Sequence, residues 1–258
     1  MEQKIKMTQI QEDFALWKDS EPERFIAVYG EDERSSVKKL VERAEKLIAA
    51  CRKEKERMHQ MFSFEREYAA YDYICGIDEA GRGPLAGPVV AGAVILPKDC
   101  SILYLNDSKK LSEKKREELY DIIMKEAISV GIGYASPKRI DEINILNATY
   151  EAMKEAVSML NPAPDILLND AVTIPGLAVR QVPIIKGDAK SASIAAASII
   201  AKVTRDRLMV EYDSVMPVYG FAGHKGYGSA AHIAAIKEYG PSPIHRKSFI
   251  KNFVDVTD

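Results

Sequence analysis

Cysteine is scarce in this sequence. Three cysteines, Cys51, Cys75 and Cys100, are spread over 258 residues, and no two of them form a CxxC pair. An odd and widely spaced set argues against a disulfide framework and favours a reducing compartment. Without a CxxC pair, the sequence gives no support to a thiolate zinc site.

Long apolar runs are also absent. No stretch reaches the length of a membrane-spanning helix, and the N-terminus lacks the basic-then-apolar pattern of a secretion signal. We therefore expect a cytoplasmic protein that does not bind membranes. The sequence contains no internal repeat or low-complexity segment, and its 47% of hydrophobic and 29% of charged residues are typical of a globular protein.

Neither sign of charge dominates the chain. Lysine and arginine number 36 against 38 acidic residues, so the formal net charge is −2. This balance gives no whole-chain signature of nucleic-acid binding. It does not exclude such binding, because the acids of a metal site offset a basic surface in a formal count.

Residues 1–70 differ in character from the rest of the chain. A capping-box pattern at Thr8 predicts a short helix through Trp17. Apolar residues at helical spacing predict a longer helix from about Ser35 to Met58. Its other face alternates basic and acidic side chains, which we interpret as a solvated face rather than a dedicated nucleic-acid surface. We predict a helical N-terminal extension over this range.

The pattern changes at residue 71 to strands and helices. A glycine turn too short for a parallel crossover joins the first two strands, so they should pair antiparallel. We predict an α/β domain over residues 71–258, with a mixed five-stranded sheet flanked by helices. The predicted strands are Tyr73–Ile77, Val89–Leu96, Val130–Ser136, Asp165–Asp170 and Val182–Lys186. The predicted helices are Ser112–Ile128, Asn144–Leu160 and Ser191–Val215, with a further helical piece at Pro137 and a terminal helix.

Four carboxylates lie at comparable places in this pattern. Asp78 and Glu79 close the first strand, Asp170 closes the fourth, and Asp188 follows the fifth. Functional groups of α/β sheets collect beyond strand ends, so these acids could converge. Clustered carboxylates repel one another unless a cation neutralises them, and oxygen-only ligands favour Mg²⁺ or Mn²⁺. A single strand-end acid is usually a cap or turn residue, but four beside a Gly-Arg-Gly turn favour a metal site.

Such a site suggests phosphodiester hydrolysis. Two divalent ions about 3.5–4 Å apart can activate water and stabilise a leaving oxygen. The residues alone therefore predict a metal site that could support phosphodiester hydrolysis.

Several blocks of the sequence resemble one known family, ribonuclease HII, the type 2 ribonuclease H. The resemblance covers about residues 72–250, in order. It rests on GIDEAGRGPLAGPV at 76–89, NDSKKLS at 106–112, INILNAT at 143–149, KGDAKS at 186–191, IAAASIIAKVTRD at 194–206, HKGYG at 224–228 and HRKSF at 245–249.

This resemblance implies a ribonuclease H-like fold and metal-dependent cleavage of RNA that is hybridised to DNA or embedded in it. It further implies 3′-hydroxyl and 5′-phosphate ends, with two ions held by Asp78, Glu79, Asp170 and Asp188. Cutting would lie 5′ of a single ribonucleotide, in the removal of misincorporated ribonucleotides and RNA primers. We expect a monomer whose replication-machinery partner, if it has one, is unknown.

The resemblance also implies the substrate-binding residues. Gly81, Arg82 and Gly83 match the element that reads the 2′-hydroxyl at an RNA–DNA junction. This is chemically sensible because glycines allow close approach to the sugar, and the 2′-hydroxyl distinguishes RNA from DNA. Tyr227 matches the tyrosine that stacks on the deoxyribose beyond the junction. The phosphate-contacting lysine is matched by Lys109, which follows Ser108 in the same loop.

Two alternatives come from neighbouring classes. Ribonuclease HIII also carries an N-terminal extension, but it lacks the Gly-Arg-Gly turn and places a glutamate at the position of Asp188. A non-catalytic nucleic-acid-binding module would favour the loss of negative charge near phosphates, whereas all four acids are present here. N-terminal extensions of this kind occur in some members of the family that the sequence resembles. The resemblance therefore suggests the hypothesis that residues 1–70 assist substrate binding.

Other patterns have less specific interpretations. The glycine turn does not have GxGxxG spacing, and the acids before it would repel phosphates, so we reject a dinucleotide loop. His224, His232 and His245 are too scattered for a local zinc site, and we expect structural or phosphate-contacting roles.

The long helix contains Ser191, Ser193 and Ser198 without an evident base for nucleophilic catalysis, so tight packing explains its small residues better. For Arg205 and Asp206 we expect an intrahelical or capping ion pair.

Overall fold

The computed structural model describes residues 5–254. The chain divides into two compact units between His59 and Gln60. The helices that begin in the first unit are α1 (Met7–Trp17), α2 (Pro22–Tyr29) and α3 (Ser35–Met61).

The first unit has an aromatic core. Phe14 and Phe25 meet edge to face with ring centroids 5.1 Å apart, and Ile10 is fully buried beside them. The two helices predicted from the sequence are present, but the capping box is wrong. Thr8 lies inside α1, whose N-cap residue is Lys6.

We did not predict α2, although its first residue is Pro22, which is well suited to the first helical position.

The second unit contains the sheet. Its strands are β1 (Ile74–Ala80), β2 (Val89–Ile95), β3 (Ser129–Ala135), β4 (Ile166–Asp170) and β5 (Arg180–Ile184). Its helices are α4 (Ser63–Glu67), α5 (Glu113–Glu126), α6 (Pro137–Ser158), α7 (Ala192–Val215), α8 (Phe221–His224), α9 (Ala230–Tyr239) and α10 (Lys247–Ile250), with 3₁₀ turns at Ser108–Lys110, Gly187–Ala189 and Pro217–Tyr219.

The sheet is mixed and five-stranded, as predicted. Its strand order is β3-β2-β1-β4-β5. The first three strands pair antiparallel, and β4 and β5 join parallel to β1. Because β1 and β4 run in the same direction, their C-terminal ends lie at one edge of the sheet.

Helices α6 and α7 cover the two faces of the sheet. Cys75 and Ile77 of β1 pack in the same core as Ala152 and Met153 of α6. The alternate residue Gly76 faces α7, where an added Cβ would lie 2.0 Å from the backbone carbon of Ser193. Side chains alternate across a strand, so the two helices lie on opposite faces.

Most element ends differ from the prediction by about one to three residues, and two of the differences have a clear physical reason. Strand β5 ends at Ile184, before the predicted Lys186, because Lys186 takes a left-handed backbone conformation at the turn that follows. Helix α6 is interrupted at Asn144, whose φ is 68° and whose side chain caps the second part through the N–H of Leu146. The two helical pieces predicted there are therefore present.

No helix within residues 5–254 is both long and apolar enough to cross a membrane.

Candidate active site

The acids predicted to bind metal lie at the shared strand edge. Asp78 and Glu79 belong to the last residues of β1, and Asp170 is the last residue of β4. Asp188 lies in the 3₁₀ turn after β5. The backbone N–H of Gly187 donates to Oδ1 of Asp170 at 2.7 Å, which ties this turn to the end of β4.

Three of these acids come together directly. Carboxylate oxygens of Asp78, Asp170 and Asp188 all lie within 4.8 Å of one another. Glu79 is next to this group, and its Oε1 lies 3.4 Å from Nη1 of Arg82 in the glycine turn. This places a guanidinium at one side of the acidic cluster.

The cluster is electrostatically strained without a cation. Burial raises the pKa of Asp78 well above its usual range, and the neighbouring charges of Glu79 and Asp170 raise it further. Burial likewise raises the pKa of Glu79, although Arg82 opposes this shift. Burial and the charges of Asp107 and Asp170 raise the pKa of Asp188. Crowded carboxylates that resist ionisation fit a hard divalent cation, which would relieve their repulsion.

Lys109 lies beside the same acids. Burial favours its neutral amine, but the charges of Asp78, Asp107 and Asp188 outweigh burial and raise the pKa of Lys109. The lysine is therefore a fixed cation at the site. Its 3₁₀ turn is capped by Asp107, whose carboxylate accepts from the Lys109 N–H at 3.0 Å.

Ser108 connects this turn to helix α7. Its buried Oγ lies 3.0 Å from Oγ of Ser198, and Ser198 in turn hydrogen-bonds to Asp78. The sequence alone predicts a packing role for Ser198 and does not single out Asp107. The structure adds both to the surroundings of the acids, at positions that only the folded chain brings together.

Ser191, which precedes α7, and Ser193, in its first turn, have a different partner. Ser191 caps the helix, and its hydroxyl and that of Ser193 both donate to Oε1 of Glu65 in α4. These contacts hold α4 against the N-terminus of α7.

The glycine turn adopts a backbone suited to close contacts. Gly81 has a φ of +94°, and an added Cβ there would lie 2.1 Å from Nε of the buried Arg205. Tyr227 stands at the other side, where its Cε1 lies 3.8 Å from the position of a Cβ on Gly83. The Leu85 N–H donates to the carbonyl of Gly226 at 2.8 Å and joins the two segments.

Comparison with protein families matches residues 75–252 to Ribonuclease HII and residues 6–69 to the Ribonuclease HII N-terminal domain. The chain belongs to the ribonuclease HII family. This decides between ribonuclease HII and its HIII relative, which was one of the alternatives above. Members of the family are metal-dependent ribonuclease H endonucleases that act on RNA–DNA hybrids.

Similar proteins support the family assignment along most of the chain. A ribonuclease HII of Lachnoclostridium phytofermentans is 68% identical over 87% of this chain and 88% of its own. That of Clostridioides difficile is 56% identical over 89% of this chain and 91% of its own. Among solved structures, the PCNA:RNase HII complex from Archaeoglobus fulgidus gives a TM-score of 0.59 at 29% identity, covering 71% of this chain and 98% of the matched chain.

Within this ribonuclease HII fold, two buried arginines hold the glycine turn. Arg246 donates to the carbonyls of Gly81 at 2.6 Å, Arg82 at 2.9 Å and Gly87 at 2.8 and 3.0 Å. The sequence analysis gave Arg246 no role, although it lies in one of the blocks that resemble the family.

Arg205 performs a similar task from α7. It donates to the carbonyls of Ala86, Pro88 and Lys225 at 2.9–3.0 Å. The predicted ion pair of Arg205 is therefore wrong. The predicted intrahelical pair of Asp206 is confirmed, but its partner is Lys202 at 2.7 Å.

The three histidines that looked scattered in the sequence are close in space. His232 and His245 are buried with their Nε2 atoms 2.9 Å apart, and the ring of His224 stacks on that of His232. Their hydrogen-bond partners are one another, the backbone and the Ser242 hydroxyl, in keeping with the structural role that we expected.

Proposed function

We propose that this protein cuts the RNA strand of RNA–DNA hybrids and nicks duplex DNA on the 5′ side of a single embedded ribonucleotide. The products would carry 3′-hydroxyl and 5′-phosphate ends. Asp78, Glu79, Asp170 and Asp188 would hold two Mg²⁺ or Mn²⁺ ions. The observation that carries the proposal is the convergence of three of these carboxylates, within 4.8 Å, beside a rigid glycine turn.

The acidic residues supply the ligands for catalysis. Bound divalent cations would provide activated water and charge stabilisation for the leaving 3′-oxygen. The strand ends preset the positions of Asp78 and Asp170, and the Gly187 N–H orients the carboxylate of Asp170. Ser198 orients that of Asp78. Such preorganisation lowers the cost of assembling the site around a cation.

The cationic side chain of Lys109 would contact a substrate phosphate next to the acids. The hydroxyl of the neighbouring Ser108 lies within hydrogen-bonding distance of that of Ser198, which positions this turn against α7. A phosphate between Lys109 and the cation-loaded acids would be held from two sides, which favours one orientation of the scissile bond.

The glycine turn and Tyr227 would recognise the junction. Gly81, Arg82 and Gly83 would approach the 2′-hydroxyl, since their backbone carries no bulky side chain at the two glycines. Tyr227 is 46% exposed as a residue, and its ring would stack on the deoxyribose that follows. Arg246 and Arg205 keep this surface in place from below.

Other parts of the proposal rest on the sequence. We predict that residues 1–70 form a helical extension that assists substrate binding and that residues 71–258 form the catalytic domain. A cytoplasmic location and a monomeric state are also predictions. The same holds for a role in removing misincorporated ribonucleotides and RNA primers. The Archaeoglobus relative was solved in a complex with PCNA. A pull-down with a bacterial sliding clamp would test whether this chain binds a replication partner.

One cleavage assay tests the catalytic proposal. The full chain is incubated with Mg²⁺ or Mn²⁺ and a DNA duplex that contains one ribonucleotide, and the cut is mapped at nucleotide resolution. We expect a nick 5′ of the ribonucleotide, and its loss in Asp78→Asn. Asp121→Asn is the matched control, because Asp121 is an exposed acid on α5. Cleavage by Asp78→Asn at the parent rate, or binding of the duplex without any cleavage by the parent, would refute the proposal.

A further inference from the structure

Buried and half-buried groups fix the backbone of Tyr227, which is itself exposed. The Tyr227 carbonyl accepts from the Ser229 N–H at 2.8 Å and from Nδ1 of His232 at 2.9 Å. The Tyr227 N–H donates to the carbonyl of His224 at 2.9 Å. Two histidines thus bracket the residue that faces Gly83 in the glycine turn.

The hydrogen bonds determine the tautomer of each ring behind Tyr227. A carbonyl can only accept, so Nδ1 of His232 carries its proton, and Nε2 of the neutral ring is an acceptor. The donor to that Nε2 is Nε2 of His245, 2.9 Å away. Nδ1 of His245 is then an acceptor, and it receives the N–H of Ser242 at 2.8 Å and the Ser242 hydroxyl at 2.7 Å.

The third ring follows the same logic. Nε2 of His224 lies 2.8 Å from the carbonyl of Tyr219 and must donate to it. Its Nδ1 is therefore the acceptor for the N–H of Gly226, at 3.1 Å. One set of neutral tautomers satisfies all of these bonds. A second proton on any of the rings would place two donors opposite each other.

The surroundings favour the neutral rings. The ring of His232 lies 4.3 Å from that of His224 and 5.1 Å from that of His245, between centroids. Tyr219 meets His245 edge to face at 5.0 Å. Arg205 reaches the same loop through the carbonyl of Lys225. Burial lowers the pKa of His245 to about 4, with a smaller contribution from His232, and burial also lowers the pKa of His232.

We propose that His224, His232 and His245 are positioning residues for Tyr227, which hold its backbone against the glycine turn as neutral imidazoles and release it when protonated. The proposal rests on the role in junction recognition given to Tyr227 above. In the described part of the chain, the hydrogen bonds of the three rings do not reach the acidic cluster. Changes to the rings should therefore affect junction recognition and not metal binding.

A double-mutant cycle tests the link between His232 and Tyr227. His232→Leu removes the donor to the Tyr227 carbonyl, whereas His232→Asn keeps an N–H donor near the position of Nδ1. On a duplex with one ribonucleotide, we expect His232→Leu to lower kcat/KM by about tenfold, the loss produced by removing one of the two hydrogen bonds that the Tyr227 carbonyl accepts. We expect His232→Asn to recover most of this loss. In the Tyr227→Ala background, His232→Leu should have little further effect.

The controls separate the inference from the proposed function. Thermal denaturation identifies variants that do not fold. If the His232 variants fail this control, a second pair takes their place: His245→Gln, which keeps an N–H donor near the position of Nε2, and His245→Leu, which removes it. Full activity of Tyr227→Ala would overturn the role of the tyrosine and the inference with it. Tyr227→Ala could instead lose activity while His232→Leu lowers kcat/KM equally in the parent and in Tyr227→Ala. That result would overturn the inference alone and leave the role of the tyrosine intact.

The pH dependence supplies a second measurement. The ratio of kcat/KM between the parent and Tyr227→Ala cancels the titration of the acidic cluster, which both proteins share. Because burial lowers the pKa of His245 to about 4, we expect this ratio to stay level near neutral pH and to fall towards one as the pH approaches about 4, where protonated rings no longer hold the tyrosine. A ratio that stays constant down to about pH 4 would contradict the release on protonation.

Discussion

Arg246 shows how much of the site depends on a single buried side chain. Its guanidinium is fully buried and reaches three backbone carbonyls around the glycine turn. Burial lowers the pKa of Arg246 to about 9, with a further contribution from Arg205. The planar fork of arginine bridges several carbonyls at fixed angles, which the single ammonium of lysine does not reproduce.

We therefore expect Arg246→Lys to lower the free energy of unfolding by about 2–3 kcal/mol, because carbonyls that now receive N–H groups would lose them. The loosened turn should also impair cleavage at a single ribonucleotide more than cleavage of a continuous RNA–DNA hybrid. Urea denaturation and the two cleavage rates measure these effects. Arg207→Lys, at an exposed arginine paired with Glu117, is the control and should change neither. Equal loss on both substrates would contradict a specific role for the turn.

Asp78 gives a prediction about the acids. Its pKa is raised in the folded chain, so its ionisation at neutral pH destabilises the cation-free protein relative to the unfolded chain, and this penalty grows as the pH rises. Asp78→Asn should therefore raise Tm in EDTA. In the parent, added Mg²⁺ or Mn²⁺ should raise Tm by binding the folded state alone, and this rise should be smaller in the variant. An undiminished metal effect in Asp78→Asn would remove Asp78 from the ligand set.

At this scale, the sequence predicts some residues better than others. Asp78 and Asp170 are recognisable because four acids follow strand ends at comparable places, whereas a single strand-end acid would pass for a cap or turn residue. The role of Arg246 cannot be recognised in the sequence, because it binds backbone carbonyls and every residue has one. Asp107 and Ser198 are distant in sequence from the acids they contact, so only the fold reveals them.

Helix α7 is the element on which the site is built. It runs under β1 and β2 at close range, and it carries Ser198 and Arg205 to opposite ends of the site. The approach is possible because a glycine faces it on each strand. An added Cβ at Gly92 of β2 would lie 2.5 Å from the carbonyl oxygen of Ala197.

Gly92→Ala should consequently push α7 away from the sheet. We expect a loss of about 1–3 kcal/mol in the free energy of unfolding, the usual cost of overpacking a core. Activity should fall as well, since Ser198 and Arg205 would move with the helix. Gly223→Ala is the control, because nothing lies within 4 Å of a Cβ at that position. Chemical denaturation of both variants measures the difference, and equal stability would show that α7 adapts without cost.

The strands and long helices could be predicted from periodicity because each has one clear apolar pattern. The short helices α4, α8 and α10 could not, since four or five residues are too few to show a period. The end of β5 was misplaced because Ile185 continues the apolar pattern of the strand, although its side chain is 73% exposed.

Over the whole chain, the division between His59 and Gln60 has a practical meaning. The sequence predicts a boundary at residue 70, which stays a prediction, and Glu65 accepts bonds from Ser191 and Ser193 at the start of α7. The stretch from Gln60 onward therefore contains a contact on which the larger unit depends.

Two truncations should separate these contributions. Removal of residues 1–59 should leave Tm of the remaining unit and kcat close to those of the parent, while KM for duplex substrate rises if the extension assists binding. Removal of residues 1–70 also deletes Glu65, and should lower Tm because the two serine hydroxyls and the Ser193 N–H lose their acceptor. Unchanged KM after the first truncation would exclude a role in substrate binding.

The order of the chain has a consequence for the glycine turn during protein synthesis. All four acids precede Arg246 in the chain, and Arg246 supplies the bonds that fix Gly81 and Arg82. A chain that ends before residue 246, for example after a premature stop codon, would contain all four acids but lack the side chain that fixes the turn. The glycine turn therefore reaches its final form only when the C-terminal part of the protein has been made.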